Sequence, residues 1–267
     1  GIKRVIELVE KDGCDVIISD GRYDVYNRKI PSFLITHQVR IMNPLRIKFL
    51  ETGSEIFNLF FLKRFRKFLV PDYEEDSLSG DLSHNLKLID RKYLCYIGVL
   101  SDFRRRDVKK DIDYLISLTG PEPQRGILEK RLMEQVNKLE GNIVVTLGRK
   151  GEEIASDNIR IYGIVGREKR EELMNRSKLI VSRSGYSTIM DLAVIGTKAL
   201  LIPTPGQIEQ EYLASYHRHR GTFYAVEQNE IDLSRDTEEA MRMRGITREC
   251  SVERSVEKVL EVVHEYA

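Results

Sequence analysis

Short apolar runs alternate with longer stretches of helical periodicity along this chain, and that alternation restricts the fold more than any other feature. Runs of four or five apolar residues are long enough for a buried strand and too short for a helix. The candidate strands are residues 15–19, 32–36, 67–70, 93–97, 114–118, 143–147, 160–164, 179–182 and 199–202. Strands separated by helices build parallel sheets with helices on both faces. The sequence therefore predicts an α/β protein with doubly wound parallel sheets.

The helical segments carry their own boundary signals. Residues 127–139 show an apolar stripe at helical spacing, and Gly141 follows as a C-terminal glycine would. Another helix is expected to begin near Tyr186 and to stop at Gly196. A last helix covers about residues 252–265, with valines on one face.

A charged stretch divides the chain into two regions. Residues 101–110 read Ser-Asp-Phe-Arg-Arg-Arg-Asp-Val-Lys-Lys and have no repeated apolar position. We expect a partial N-terminal domain over 1–105, a second domain over 106–250, and a C-terminal helix within 251–267 that packs back on the first domain. Because Gly1 is followed by a helical pattern and not by an opening strand, we also expect further residues upstream.

Charge and cysteine content narrow the functional classes. The 43 basic and 42 acidic residues give a net charge of +1, without the clustered basic excess of nucleic-acid binders. The three cysteines lie far apart and show neither a CxxC pair nor zinc spacing, which is typical of a reducing compartment. No apolar run approaches the roughly 20 residues of a transmembrane helix. The sequence predicts a cytoplasmic protein with no nucleic-acid partner.

The most informative segment runs from Val181 to Ala214 and begins as a strand, a Ser/Gly turn and a helix. Its first part reads Val-Ser-Arg-Ser-Gly-Tyr-Ser-Thr-Ile-Met-Asp-Leu-Ala-Val-Ile-Gly. Small residues at such a turn leave the backbone N–H groups of the helix N-terminus open to a phosphate or diphosphate. The alternative is that Ser184, Ser187 and Thr188 only cap the helix. Spacing alone leaves both interpretations open.

Asp191 falls in the second turn of that helix. The benefit of a carboxylate to the helix dipole fades after the first turn, so capping does not explain this position. A carboxylate can accept two hydrogen bonds from a vicinal diol such as a ribose. An ordinary solvated aspartate is the alternative.

This segment resembles the signature of MurG-type glycosyltransferases and of the C-terminal domain of glycosyltransferase family 28. In that family the pattern is Arg-Ser-Gly, two residues, Thr, two residues, an acidic residue, and a glycine that ends the helix. The following Ile-Pro and Gln-Glu-Tyr are similar to the family's proline loop with its paired glutamines. The resemblance covers residues 114 to about 226 closely and 15–98 loosely. It implies a GT-B fold, in which two doubly wound domains face a cleft, and transfer of a sugar from a UDP-sugar to an acceptor that is lipid-linked in the resembled enzymes.

The resemblance also implies roles for individual residues. Asp191 would accept hydrogen bonds from the ribose hydroxyls, and Gln210 and Glu211 would contact the donor sugar. The diphosphate would meet backbone groups of Ser184, Gly185 and Tyr186.

Two further segments complete the implied donor site. Gly120 lies in the turn that corresponds to the family's glycine-rich loop, and Ile164 and Val165 would offer backbone groups to the uracil edge. Backbone dipoles would take the place of a metal ion, so the resemblance implies no metal or other cofactor.

The departures from the family pattern leave alternatives. Glu211 replaces a glutamine, so the donor sugar can differ from N-acetylglucosamine, and Pro121 and Pro123 remove N–H donors from the loop after residue 118. The family's N-terminal glycine-rich loop is not found, which leaves His37 as a weak candidate for the catalytic base. A UDP-sugar epimerase or hydrolase, or a nucleotide-sugar-binding partner subunit of a split enzyme, is the alternative function.

The stretch Phe57–Val70 interleaves aromatic residues with four cations. This composition suits an anionic membrane surface, which would place the protein at the inner face of the cell membrane. The favoured alternative is a helix that packs Phe57, Phe60, Phe61 and Phe65, followed by a strand.

Overall fold

A computed structural model describes residues 2–43, 48–151 and 153–266. The chain forms two compact units. Unit 1 comprises the residues up to Leu100 together with Ser251 onward, and unit 2 comprises Ser101–Cys250.

The elements follow one another in a largely alternating order. The strands are β1 (Ile17–Asp20), β2 (Ser32–Ile35), β3 (Lys67–Val70), β4 (Leu94–Tyr96), β5 (Ile112–Ser117), β6 (Ile143–Thr146), β7 (Ile154–Ala155), β8 (Ile159–Tyr162), β9 (Ser177–Ser182), β10 (Lys198–Leu201) and β11 (Tyr224–Ala225). The helices are α1 (Ile2–Asp12), α2 (Lys48–Leu62), α3 (Gln124–Met133), α4 (Arg167–Arg176), α5 (Tyr186–Ile195), α6 (Ile208–His219), α7 (Leu233–Arg242) and α8 (Val252–His264).

Unit 1 is built on a parallel sheet with the strand order β1-β2-β3-β4. The inner strands β2 and β3 are apolar on both faces, as is usual for parallel strands covered on both sides. Phe68 and Val70 pack with Leu62 at the end of α2, whereas Leu69 faces the opposite way and packs with Val263 of α8. The last helix of the chain therefore belongs to the first unit.

Unit 2 is built on a seven-stranded sheet with the order β11-β10-β9-β5-β6-β8-β7. All neighbouring pairs are parallel except β7 with β8. From β5 the chain moves outward through β6 to β8, and it then returns to the other side of β5 to form β9, β10 and β11. The strand order thus reverses between β5 and β9, which is the place where open α/β sheets bind ligands.

Two apolar layers sandwich the sheet of unit 2. One layer joins Ile116 and Val181 to Leu128 of α3 and Leu233 of α7. The other lies on the opposite face and collects Leu115 and Ile180 with apolar residues of α4, α5 and α6, namely Leu173, Met174, Leu192, Ile195 and Ala214. This alternation of inward side chains along each strand fixes the strands in register.

The α/β class and the parallel sheets predicted from the sequence are confirmed. The predicted helix over 127–139 is wrong at its end, because α3 stops at Met133 and a 3₁₀ turn, Val136–Lys138, follows. Val136 and Leu139 remain buried, so the apolar stripe is satisfied by a different backbone. The short strands β7 and β11 and the helix α7 have patterns too brief or too polar to be identified in advance.

Within the described ranges, none of the helices has the length and apolar content needed to cross a bilayer.

Candidate functional site

The carboxyl-terminal ends of the strands of unit 2 gather most of the predicted site residues on one edge. Gly120 follows β5, Ile164 and Val165 follow β8, and Ser184 and Gly185 follow β9. Parallel strands place their carboxyl ends on the same edge of the sheet, so these loops are neighbours despite their separation in sequence. The loops after β5 and β9 flank the point where the strand order reverses.

The N-terminus of α5 lies open at this edge. Gly185 is its N-cap residue and provides no side-chain hydrogen bond, and the first turn holds no acidic residue. Ser184 and Tyr186 are buried, so their side chains point into the protein and only their backbone groups face the turn. A helix N-terminus with no side-chain cap and no acidic residue in its first turn favours an anion.

A cavity of about 310 Å³ lies beside this helix end. It is lined by Gly185 and by the N-terminal residues of α6, namely Gln207, Ile208, Glu209 and Gln210. The Ser184 hydroxyl donates a hydrogen bond of 2.8 Å to the backbone oxygen of Gln210 and so ties the entries of the two helices together. Two helix N-termini therefore meet at one cavity.

The two predicted sugar-contacting residues differ in position. The side-chain oxygen of Gln210 accepts from the backbone N–H of Thr204 at 3.0 Å. The side-chain NH₂ group of Gln210 donates to the side-chain oxygen of Gln207. Glu211 is exposed, accepts from the backbone N–H of Gly206 at 2.8 Å, and does not line the cavity. Gln210 is thus positioned at the cavity by the loop before α6, while the same loop directs Glu211 elsewhere.

Asp191 is buried on α5 and already has partners on both oxygens. The Ser101 hydroxyl donates to one oxygen at 2.6 Å, and a guanidinium N–H of Arg170 lies 3.3 Å from the other. Burial raises the pKa of the Asp191 carboxyl, while the Ser101 hydrogen bond and the Arg170 charge oppose that rise. Each carboxylate oxygen has a second lone pair, so a diol can bind beside these partners or displace them.

Ile164 and Val165 lie between β8 and the first turn of α4. Ile164 is 66% exposed, which is unusual for an isoleucine and leaves the backbone around it open to solvent. Gly120 lies in the loop between β5 and α3. In the first turn of α3, Arg125 binds both Glu122 and Glu129 and donates to the backbone oxygen of Leu147. These contacts of the buried Arg125 side chain hold the loops after β5 and β6 together.

Arg183 occupies the turn between β9 and α5. It is 3% exposed, and its guanidinium donates to the backbone oxygens of Ile202, Pro203 and Gln124 at 2.9–3.2 Å and to the side-chain oxygen of Gln228 at 2.6 Å. No carboxylate is among these acceptors. Burial lowers the pKa of Arg183 to about 10, which still leaves it charged at neutral pH.

His37, the weak candidate base, follows β2 in unit 1 and is half-buried. The D-x-D pair of the sequence, Asp111 and Asp113, lies at the amino-terminal edge of β5, where Asp111 pairs with Arg176 and Asp113 with Lys178. Among the residues that the structure describes, no cluster of three or more His, Cys, Asp or Glu side chains could hold a metal ion.

Sequence reasoning missed three residues of the cavity wall and the partners of Asp191. Gln207, Ile208 and Glu209 begin α6, and the Pro-Thr-Pro-Gly loop before them is a signal for a second helix N-terminus. The contact between Ser101 and Asp191 joins residues 90 positions apart and has no sequence signal.

The part of the chain that holds these loops is similar to known proteins. Residues 129–254 match the glycosyltransferase family 28 C-terminal domain. A UDP-N-acetylglucosamine--N-acetylmuramyl-(pentapeptide) pyrophosphoryl-undecaprenol N-acetylglucosamine transferase of Histophilus somni is 32% identical over 94 residues, which cover 32% of this chain and 26% of that protein. An uncharacterized glycosyltransferase of Methanosarcina mazei is 24% identical over 243 residues, which cover 83% of this chain and 63% of that protein. The chain thus matches less than two thirds of the length of either relative.

Solved structures share the fold at low sequence identity. The MurG of Acinetobacter baumannii aligns over 99% of this chain and 76% of its own, with a TM-score of 0.57 and 14% identity. The UDP-GlcNAc 2-epimerase of Methanocaldococcus jannaschii aligns over 99% and 80%, with a TM-score of 0.63 and 12% identity. Residues 129–254, which match the glycosyltransferase family 28 C-terminal domain, include α5, α6 and the cavity between their N-termini, and the chain has a GT-B-type fold.

Proposed function

We propose that unit 2 binds a UDP-sugar and that the protein transfers the sugar to an acceptor. The observation that carries this proposal is the open N-terminus of α5, which lies next to the reversal point of the sheet and lines a cavity within the family-matching region. In this arrangement the diphosphate occupies the backbone N–H groups at Gly185, and the sugar extends toward Gln210. Catalysis then depends on positioning the donor and on stabilising the departing diphosphate.

Asp191 is assigned to the ribose hydroxyls and the backbone at Ile164 and Val165 to the uracil edge. From Gly185 to Asp191 the helix rises by about 9 Å, at 1.5 Å per residue, which separates the ribose contact from the diphosphate contact. Gly120, in the loop across the reversal point, completes the enclosure of the nucleotide. Glu211 lies outside the cavity wall, so its contact with the sugar requires a change of rotamer.

The test is a binding panel of UDP, UDP-N-acetylglucosamine, UDP-glucose, GDP-mannose and dTDP-glucose, measured by calorimetry on the full chain. We expect the uridine nucleotides to bind and the purine nucleotide to bind at least about tenfold more weakly, because backbone groups that pair with a uracil edge do not match guanine. Equal binding of all nucleotides, or of none, would contradict the proposal.

A UDP-sugar epimerase or hydrolase is the second candidate. The fold is shared with a UDP-GlcNAc 2-epimerase, at a TM-score of 0.63, as well as with MurG, so the fold is compatible with this candidate. Incubation of the full chain with UDP-N-acetylglucosamine in the absence of an acceptor separates the two functions. An epimer or free sugar in the NMR spectrum supports the second candidate, whereas turnover that requires an added hydroxyl acceptor supports the first. A nucleotide-sugar-binding subunit of a split enzyme would bind the donor and turn over under neither condition.

A membrane contact, and with it a lipid-linked acceptor at the inner face of the cell membrane, is a separate proposal. Phe57 and Phe60 of α2 are 51% and 58% exposed, and the guanidinium of Arg64 lies over the Phe60 ring. Phe65 is buried and Lys67–Val70 is strand β3, so only the α2 part of the stretch is available to lipid. Sedimentation with anionic vesicles should fall when Phe57 and Phe60 are both replaced by serine. Unchanged sedimentation would remove the proposal.

A further inference from the structure

Arg183 presents a charge that the protein itself does not compensate. Arginine is almost never fully buried without an acidic partner, because the charge loses its hydration. Among the residues that the structure describes, the other two buried arginines each have one, with Arg40 bound to Glu55 and Arg125 bound to Glu122 and Glu129. The guanidinium of Arg183 has only neutral acceptors, and its Nε has no partner at all.

The position of this charge is specific. Arg183 lies one residue before Ser184 and two before Gly185, directly behind the open N-terminus of α5. The partial positive charge of that helix end adds to the full charge of the guanidinium. By contrast, the N-terminus of α6 already carries Glu209 and Glu211 in its first turn. The positive charge on the wall of the cavity is therefore concentrated at the α5 side.

We propose that Arg183 is a positioning residue whose unpaired positive charge stabilises a bound diphosphate through the N-terminus of α5, without touching the ligand. This inference rests on the proposed function and deepens it. Arg183 is too buried to contact the ligand, so it acts by the electrostatic field that its charge adds at the helix end. Fixed charges in a site that excludes water interact more strongly than they do in solvent.

The experiment compares UDP, which carries the diphosphate, with uridine, which does not. Calorimetry is performed on the full-length wild type and on Arg183→Met and Arg183→Lys. We expect Arg183→Met to weaken UDP binding by about tenfold or more while uridine binding changes less than about twofold. The Lys variant retains the charge and should restore most of the UDP affinity. Equal loss for UDP and uridine, or no rescue by Lys, would mean that the hydrogen bonds of the guanidinium matter and its charge does not.

Gln228→Glu keeps the experiment decisive if Arg183→Met fails to fold. The side-chain oxygen of Gln228 already lies 2.6 Å from the guanidinium, so a carboxylate there pairs the charge and keeps the arginine and its hydrogen bonds in place. We expect a selective loss of UDP affinity at unchanged uridine affinity. A Gln228→Glu protein that binds UDP like the wild type would overturn the inference.

Lys110→Met is the matched control. Lys110 also donates to neutral acceptors, the backbone oxygen of Ser177 and the hydroxyl of Thr197, both at 2.8 Å, but its side chain is exposed. It lies at the amino-terminal end of β9, about 17–20 Å along the strand from Arg183. Removal of this charge should leave the ratio of UDP to uridine affinity unchanged. If Lys110→Met changes that ratio as much as Arg183→Met does, the effect is a non-local one of net charge and the proposal is overturned.

Inorganic pyrophosphate separates this inference from the donor assignment. Suppose that the wild type binds pyrophosphate but no uridine nucleotide, and that Gln228→Glu does not bind pyrophosphate. The assignment of a UDP-sugar donor is then wrong and the role of Arg183 stands. If neither pyrophosphate nor UDP binds the wild type, both proposals fail.

Discussion

Asp191 shows at the scale of one residue how a predicted binding group is prepared by its surroundings. Asp191 is buried and lies beyond the reach of the helix dipole. Ser101 binds one oxygen of its carboxylate and Arg170 the other, which fixes the orientation of the carboxylate. A carboxylate positioned before the ligand arrives loses little side-chain entropy on binding. Burial and these two partners exclude an ordinary solvated aspartate, and the ribose contact stays a prediction.

We predict that Asp191→Ala weakens UDP binding about tenfold or more. Charge-assisted hydrogen bonds contribute roughly 1.5–3 kcal/mol each, and 1.4 kcal/mol corresponds to a factor of ten in affinity. Asp111→Ala is the control, because Asp111 is a paired carboxylate at the opposite edge of the same sheet. Unaltered UDP affinity in the Asp191 variant, together with lowered stability of the unliganded protein, would make Asp191 a structural residue.

The pKa of Asp191 gives a second prediction at this scale. Burial raises the pKa above the ordinary value of 3.8, so the folded protein binds the proton more tightly than the unfolded chain. The resulting stabilisation is present at low pH and is lost as the pH rises through the folded-state pKa. We therefore expect the free energy of unfolding of wild type minus that of Asp191→Asn to fall as the pH rises above about 4, measured by urea unfolding between pH 4 and 7. A difference that rises with pH would show that Ser101 and Arg170 outweigh burial.

At the scale of the element, α5 is defined by its two ends. It begins at Gly185 without a side-chain cap and ends at Gly196, which has φ +71° and donates its N–H to the backbone oxygen of Leu192. Between them the helix is buried on almost all sides, so its position depends on the sheet and on its neighbours and not on an amphipathic stripe.

We predict that Gly196→Ala lowers the free energy of unfolding by about 1–2 kcal/mol, since an L-residue at positive φ is strained and an added Cβ would lie 3.3 Å from the Arg105 side chain. Gly53→Ala is the control with the opposite sign. Gly53 is exposed within α2 and an added Cβ meets no atom within 4 Å, so alanine should stabilise by up to about 1 kcal/mol. Chemical denaturation of both variants measures the effect, and stabilisation by both substitutions would contradict the assigned end of α5.

At the scale of the whole molecule, the chain leaves unit 1 at Leu100, builds unit 2, and returns to unit 1 with α8. The return is fixed by apolar packing of Val263 with Phe33, Leu69 and Ile97. Backbone approach also contributes, because a Cβ at Gly98 would lie 2.6 Å from the Ser255 hydroxyl oxygen. The C-terminal helix thus packs on a sheet whose strands lie more than 150 residues earlier in the chain.

We predict that Val263→Ala destabilises unit 1 by about 1–3 kcal/mol and leaves UDP affinity unchanged, because the proposed nucleotide contacts all lie in unit 2. Val256→Ala is the control on the same helix, since Val256 is 45% exposed. Hydrogen exchange of the β2 and β3 amides reports on unit 1, and calorimetry with UDP reports on unit 2. Loss of UDP binding in the folded Val263 variant would show that the two units are coupled.

The sequence by itself determined the α/β class, most of the strands, the start and end of α5, and the candidate donor residues that follow the strand ends. These are local properties, because apolar periodicity, glycine at a helix end and a serine-rich turn act within a few residues. The tertiary structure alone decided that β9 lies beside β5 and not beside β8, that Ser101 reaches Asp191, that Gln210 lines the cavity and Glu211 does not, and that Arg183 has no acidic partner. Those outcomes depend on which side chains meet across loops tens of residues apart, and no local pattern encodes such contacts.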